Sequence, residues 1–243
     1  MNGHPFRSAW ALLTAVGGAA PLHERAPIWF GPVGLVLGAV LGLSWWGAGE
    51  VLPPLVAAFV VVALDAGLTG MLHLDGLADS GDGLVAPMDR ERRLAVMRTP
   101  DVGAFGLVTV VVTLALRGAA LASVPVTALA AVLLPAGLWA LSRGLLAATA
   151  ALLPCARPTG MGALLADRRA CVLGALGGIV PGAALAAVVG WRGLAAVVAA
   201  VLGAVSVATL ARRRLGGFTG DVLGAVVVVA ETAGLVAATL SRP

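Results

Sequence analysis

Lysine and tyrosine are absent from the 243 residues, and cysteine, aromatic side chains and charge are scarce. The two cysteines, Cys155 and Cys171, have neither metal-ligand nor redox spacing. That excludes a disulfide framework and a thiolate metal centre, and implies free thiols in a reducing compartment. Only 5% of residues are aromatic, and the net charge of +4 comes from arginines beside apolar runs, so the basic excess reads as membrane orientation and not as a nucleic-acid surface. With 12% charged and 60% hydrophobic residues, and a mean hydropathy of +1.00, the chain is too apolar for an ordinary soluble domain. Apolar/polar alternation is missing as well. A backbone in hydrocarbon must satisfy its own hydrogen bonds, which leaves helices once barrels are excluded.

What is present is a series of runs about 20 residues long, the length that crosses a hydrocarbon core of about 30 Å. The spans are predicted at Ile28–Ala48, Val51–Leu72, Gly103–Val124, Val126–Leu153, Cys171–Gly190, Gly193–Ala211 and Phe218–Leu240. Arg7 followed by Ala9 to Ala20 imitates a signal peptide, but Pro5, Gly17, Gly18 and His23-Glu24-Arg25 argue against one. Residues 1–27 are therefore read as a short helix at or partly in the cytoplasmic interface. No internal repeat or low-complexity linker divides the chain, which reads as one all-α, polytopic membrane domain over residues 1–243.

The arginines orient these seven spans. Arg7, Arg25, Arg90, Arg92, Arg93, Arg98, Arg157, Arg168, Arg169, Arg212, Arg213 and Arg214 fall in the N-terminal segment and three loops on one side. The other side, with connections near Glu50, Pro125 and Arg192, has only Arg192 and Arg242. This bias predicts that the long loops, and an active site among them, face the cytoplasm. In a bacterium the membrane is the inner one.

Chemistry is concentrated at His73-Leu-Asp-Gly-Leu-Ala-Asp-Ser-Gly-Asp-Gly83. Of the 12 acids in the chain, three stand within eight residues here, too dense a grouping for ordinary turn aspartates. If the second span continues helically through the segment, Asp75, Asp79 and Asp82 share one stripe at i, i+4 and i+7. Two carboxylates about 6 Å apart repel by about 3 kcal/mol at an effective dielectric near 20, so the stripe calls for a cation. Oxygen ligands of high charge suit Mg²⁺. Arg90, Arg93 and Arg98 follow, and guanidinium forks match diphosphate oxygens. Arg157, in a stiff loop after the fourth span, and Asp221, at the start of the last, lie on the same side. Inside the bilayer an ionisable side chain costs at least about 2.5 kcal/mol, so Asp65, Arg143 and Glu231 need partners. Arg143 is the natural counter-ion for one of the acids, and Asp65 reads as structural.

Four patches in order along roughly residues 27–231 resemble the cobalamin synthase, or adenosylcobinamide-GDP ribazoletransferase, family. They are the 73–83 motif; Arg90 through Gly106; Leu141-Ser142-Arg143 with Ala156-Arg157-Pro158-Thr-Gly160; and Gly216-Gly217-Phe-Thr-Gly-Asp221 through Ala225. The family often has tyrosine where Cys155 stands, and many members carry a second acid at the position of Val228. The resemblance implies a Mg²⁺-dependent membrane transferase of cobalamin synthesis. The ribose hydroxyl of α-ribazole, or of its 5′-phosphate, would displace GMP from adenosylcobinamide-GDP. Asp75, Asp79 and Asp82 would hold the metal, and His73, Asp79 or another carboxylate would assist proton removal. Arg90, Arg93, Arg98, Arg143, Arg157 and Asp221 would bind substrate, while Asp65 and Glu231 would be accessory. A CDP-alcohol phosphotransferase is the nearest rival, but its longer motif, with Ala-Arg after the first Asp-Gly, is missing. A transporter would set its ligand groups near the bilayer midplane.

Overall fold

The computed structural model describes residues 4–124, 128–157, 165 and 167–240. Pro125, the start of the fourth predicted span at Val126, the Pro158–Gly160 part of a family patch and Arg242 lie outside the described residues. The described part is helical, with one isolated bridge between Cys155 and Phe218. Helix α1 (Pro5–Leu13) begins on a proline, whose fixed φ and missing N–H suit a first turn. A 3-10 turn, Ala26–Trp29, leads into α2 (Phe30–Gly49), followed by α3 (Pro54–Leu68) and α4 (Leu72–Ser80). Then come α5 (Arg90–Val96), α6 (Ala104–Ser123), α7 (Ala128–Leu152), α8 (Arg168–Val188), α9 (Trp191–Leu215) and α10 (Gly220–Ala238). Among the described residues six helices are long and apolar enough to cross a membrane, or seven if the bent pair α3–α4 counts as one span. The protein is an all-α polytopic membrane protein.

The second predicted span needs correcting. It is predicted to end at Leu72, and the shared aspartate stripe depends on its continuing helically into the motif, but α3 stops at Leu68 and the next helix is bent from it by 94°. Gly70, at φ +58°, donates its N–H to Gly67 O, and Met71 donates to Ala66 O. This pair of bonds, closing on a left-handed glycine, satisfies the last carbonyls and ends the helix. Met71 also takes a positive φ of 59°. Helix α4, nine residues long, rises only about 13 Å and is too short to cross the bilayer. A smaller difference is that α9 continues to Leu215, so Arg212, Arg213 and Arg214 form its last turn and not a loop. Cations are favoured there by the helix dipole, and Gly216 at φ +79° supplies the stop.

Helix α7 is the hub. Gly31, Gly34, Gly38 and Gly42 lay one stripe of α2 against the backbones of α7 and α8, where any Cβ would strike a carbonyl. Large apolar side chains of α6, α8 and α9, such as Val108, Leu176 and Leu202, point outward, as lipid contact requires and water would penalise.

Four charges lie at the centre, one each from α3, α6, α7 and α10. Arg117 bonds Asp65 through Nη1 at 2.6 Å and Glu231 through Nη2, while Arg143 pairs with the other oxygen of Glu231. Trp139 Nε1 donates to Asp65 at 3.0 Å, Ser142 Oγ to Glu231 at 2.8 Å, and Arg117 Nε to Thr232 Oγ1 at 2.9 Å. Two positive and two negative charges cancel, and the buried Arg143 Nε alone of the two guanidinium Nε groups lacks a partner. The expected pairing of Arg143 with an acid is present. Arg117 went unremarked in the sequence, although the argument that singled out Asp65 applies equally to an arginine inside an apolar run.

Breaking the group from one side should cost far more than removing a neutral pair. Arg117→Leu alone is expected to destabilise by about 3–5 kcal/mol, because it leaves Asp65 without a counter-charge. Asp65→Leu combined with Arg117→Leu leaves the neutral Glu231–Arg143 pair and should unfold closer to wild type. A double-mutant cycle on thermal unfolding in detergent measures this coupling.

Candidate active site

Helices α4 and α10 cross almost backbone to backbone. A Cβ on Gly76 would stand 2.8 Å from Asp221 O, and one on Gly224 would stand 3.3 Å from the His73 Cα. Only glycine at the crossing lets the first turn of α10 lie against the acidic helix. Thr219 caps that turn, its Oγ1 accepting from Val222 N at 3.3 Å, so the chain enters α10 with Asp221 in the opening turn. The loop after α7 is held alongside by two short rungs, Ala156 N to Phe218 O at 2.7 Å and Phe218 N to Pro154 O at 2.9 Å. These rungs carry Arg157 to Asp221, with Nη1 donating to Oδ2 at 3.1 Å. Arg157 Nη2 reaches the carbonyls of Leu94 and Met97, leaving its buried Nε without a partner.

Between these elements and the N-terminal segment lies a cavity of about 220 Å³. Its polar wall holds His73, Asp75, Arg157, Thr219 and Asp221. His73 is 5% exposed and its Nδ1 has no hydrogen-bond partner, and burial, reinforced by the charges of Arg143 and Arg117, holds its pKa well below the ordinary histidine value. Asp79, one turn further along α4, is half-buried. Burial, reinforced by the charges of Asp221, Asp75 and Asp82 against the pull of Arg157, raises its pKa to about 7. A carboxyl held so far above its ordinary value marks a place short of positive charge.

The remaining sequence candidates are spread elsewhere. Asp82 lies where the helix widens into a π turn over Gly81–Val85, so the regular i, i+4, i+7 spacing is interrupted before it. Its two oxygens accept from Gly103 N at 2.7 Å and Gly106 N at 2.9 Å, capping the start of α6. Arg90 Nε donates to Leu215 O at 2.7 Å, and buried Arg93 donates to Gly83 O at 2.6 Å, so both brace backbone. Arg98 is exposed, and Arg143 belongs to the central charge group and does not line the cavity. The structure thus gathers His73, Asp75, Asp79, Arg157 and Asp221, and leaves Asp82, Arg90, Arg93, Arg98 and Arg143 outside the gathering. A substrate role for Asp221 is an expectation from the motifs, which do not link it to the aspartate helix. The Gly76/Gly224 crossing that joins them has no local signal. Leu12, Leu13 and Leu22, which line the cavity from the N-terminal segment, were also missed as site residues.

A family model described as cobalamin-5-phosphate synthase matches residues 5–239. A protein of Ectopseudomonas mendocina named adenosylcobinamide-GDP ribazoletransferase is 39% identical, over 89% of this chain and 88% of its own. Proteins of the same name from Roseiflexus sp. and Pseudomonas aeruginosa are 36% and 39% identical, over 98% and 89% of this chain and 90% and 87% of theirs. No solved structure matches.

The position of Asp82 has a measurable consequence. Asp82→Asn keeps the shape but presents an NH₂ to one of two backbone donors. The start of α6 should lose about 1–2 kcal/mol, read as a lower thermal unfolding midpoint in detergent. An unchanged midpoint would contradict the capping role.

Proposed function

The chain belongs to the cobalamin-5-phosphate synthase family, and from that premise we propose that this enzyme joins α-ribazole, or its 5′-phosphate, to adenosylcobinamide-GDP with release of GMP. In the proposed reaction the ribose hydroxyl attacks the cobinamide-linked phosphate. The bond from that phosphorus to the GMP oxygen breaks, and the hydroxyl proton passes to a base. The observation that carries this reading is the convergence of His73, Asp75, Arg157 and Asp221 on one cavity, with Asp79 beside them. Phosphoryl transfer needs charge neutralisation and in-line positioning more than covalent help.

The residues present fit Mg²⁺. Among the described residues no three His, Cys, Asp or Glu side chains gather into a metal cage. Mg²⁺, however, is ordinarily held by one or two carboxylates, with waters and substrate phosphates filling its shell. The crowded Asp79, with Asp75 and Asp221 near it, offers that kind of incomplete set. When bound there, the ion would offset charge on the diphosphate and on the departing GMP. Asp75 and Asp79 would hold it, and Asp82, occupied with α6, would not. Arg157 would offer its free Nε to a phosphate oxygen while Asp221 holds the fork in place. His73 Nδ1 would accept the hydroxyl proton. The arginine bias supports a bacterial inner-membrane location with this cavity toward the cytoplasm.

Purified protein given adenosylcobinamide-GDP, α-ribazole and Mg²⁺ should release GMP, and chelation should stop release reversibly. Asp79→Asn should lower turnover at least about a hundredfold, the effect of losing about 3 kcal/mol of transition-state stabilisation, with little change in unfolding temperature. Turnover close to wild type in a correctly folded Asp79→Asn protein would remove Asp79 from the metal site.

A further inference from the structure

Helix α2 runs about 30 Å from Phe30, in the wall of the His73 cavity, to Gly49, in the wall of a second cavity at the opposite end of the bundle. This second cavity, of about 300 Å³, lies where α2 ends, α3 begins and α6 ends, and its lining includes Trp45, Glu50, Pro54, Ala57 and Ser123. None of these residues has a part in the proposed transfer.

The polarity of the cavity is one-sided. Glu50, the C-cap of α2, is exposed, and among the described residues no cation forms a salt bridge with it. A carboxylate at the carbonyl end of a helix is disfavoured by the helix dipole, and α6 brings a second carbonyl end to the same cavity at Ser123. The donors that an anion would use are missing, because Pro53 and Pro54 have no N–H, while Val51 and Leu52 give theirs to Ala48 O. A positive group is what this place lacks. The space is far larger than a bare metal ion or one water needs, which favours an organic cation. Trp45, buried in the wall, sets an indole there, a surface that attracts ammonium groups. Further along the same two helices, Phe59 of α3 rests against Gly118 of α6 and is still 44% exposed, and Leu55, Val56 and Leu116 are exposed as well. The cavity is thus continuous with an apolar seam of the kind that acyl chains cover.

We propose that this cavity binds the headgroup of an amine-bearing phospholipid from the leaflet opposite the His73 cavity, with the ammonium against Glu50 and the acyl chains on the α3/α6 seam. A headgroup without an amine would set its phosphate charge against Glu50 and two carbonyl ends, and is disfavoured.

The test is native mass spectrometry of the detergent-solubilised full chain, titrated with dioleoyl phosphatidylethanolamine or dioleoyl phosphatidylglycerol. Wild type should retain the amine lipid at least about threefold better, and added salt should narrow the difference. Glu50→Gln, at an exposed position outside the helices, should abolish the preference. Ala122→Leu, which adds carbons to the cavity wall from the last turn of α6, should weaken retention of the amine lipid with an unfolding temperature near that of wild type. Equal retention of the two lipids by wild type would overturn the proposal, and so would an unchanged preference in folded Glu50→Gln. Displacement of the lipid by an equal concentration of ethanolamine would overturn it too, since the site would then be one for a soluble amine.

Discussion

Charge inside hydrocarbon must be cancelled where it stands, and this requirement organises the molecule. Glu231 meets it by holding two arginines from two different helices, and Arg117 extends the group to Asp65 on a fourth. These contacts are directional and costly to break, so they fix the register of α10 against α3, α6 and α7 in a way that apolar packing alone would not. Helix α10 carries Glu231 near its middle and Asp221 in its first turn. A helix pinned at its centre has a determined end, and that end is the wall of the cavity.

The second constraint is contact distance. Glycine at 76 and 224 lets α4 and α10 touch by backbone, and glycine along α2 does the same against α7 and α8. The charge group decides where α10 sits, and the crossing decides what sits against it. Arg157 then arrives through two backbone rungs to Phe218. The chemistry-bearing side chains thus come from separate elements whose mutual placement is settled by backbone contacts.

Much of this was legible in the sequence. Apolar runs of spanning length located the long helices to within a few residues, because hydrocarbon thickness acts on every span alike. Family membership was readable from the motifs, and the same motifs picked out His73, Asp75, Asp79, Arg157 and Asp221, which the fold brings near one another. The contacts of Asp82 were not legible, since i, i+7 spacing assumes an unbroken α-helix, whereas a π turn runs over Gly81–Val85 and Asp82 accepts from the start of α6. Arg90 and Arg93 looked like phosphate ligands by composition, and only the fold reveals the carbonyls that occupy them. The elbow at Gly70 was readable in principle, as a glycine at the end of an apolar run, but the uninterrupted hydropathy on both sides masked it.

That elbow bears on the lipid as well as on the chain. With 15 residues, α3 reaches only about 22 Å, well short of a hydrocarbon core of about 30 Å. A span that short is matched by local thinning of the bilayer, by flanking polar side chains or by neighbouring helices. Thinning beside α3 would draw the polar headgroups and their water inward, toward the aspartate helix. The substrate of the proposed transfer, large and charged, would then have a shorter descent to a cavity built into a membrane bundle.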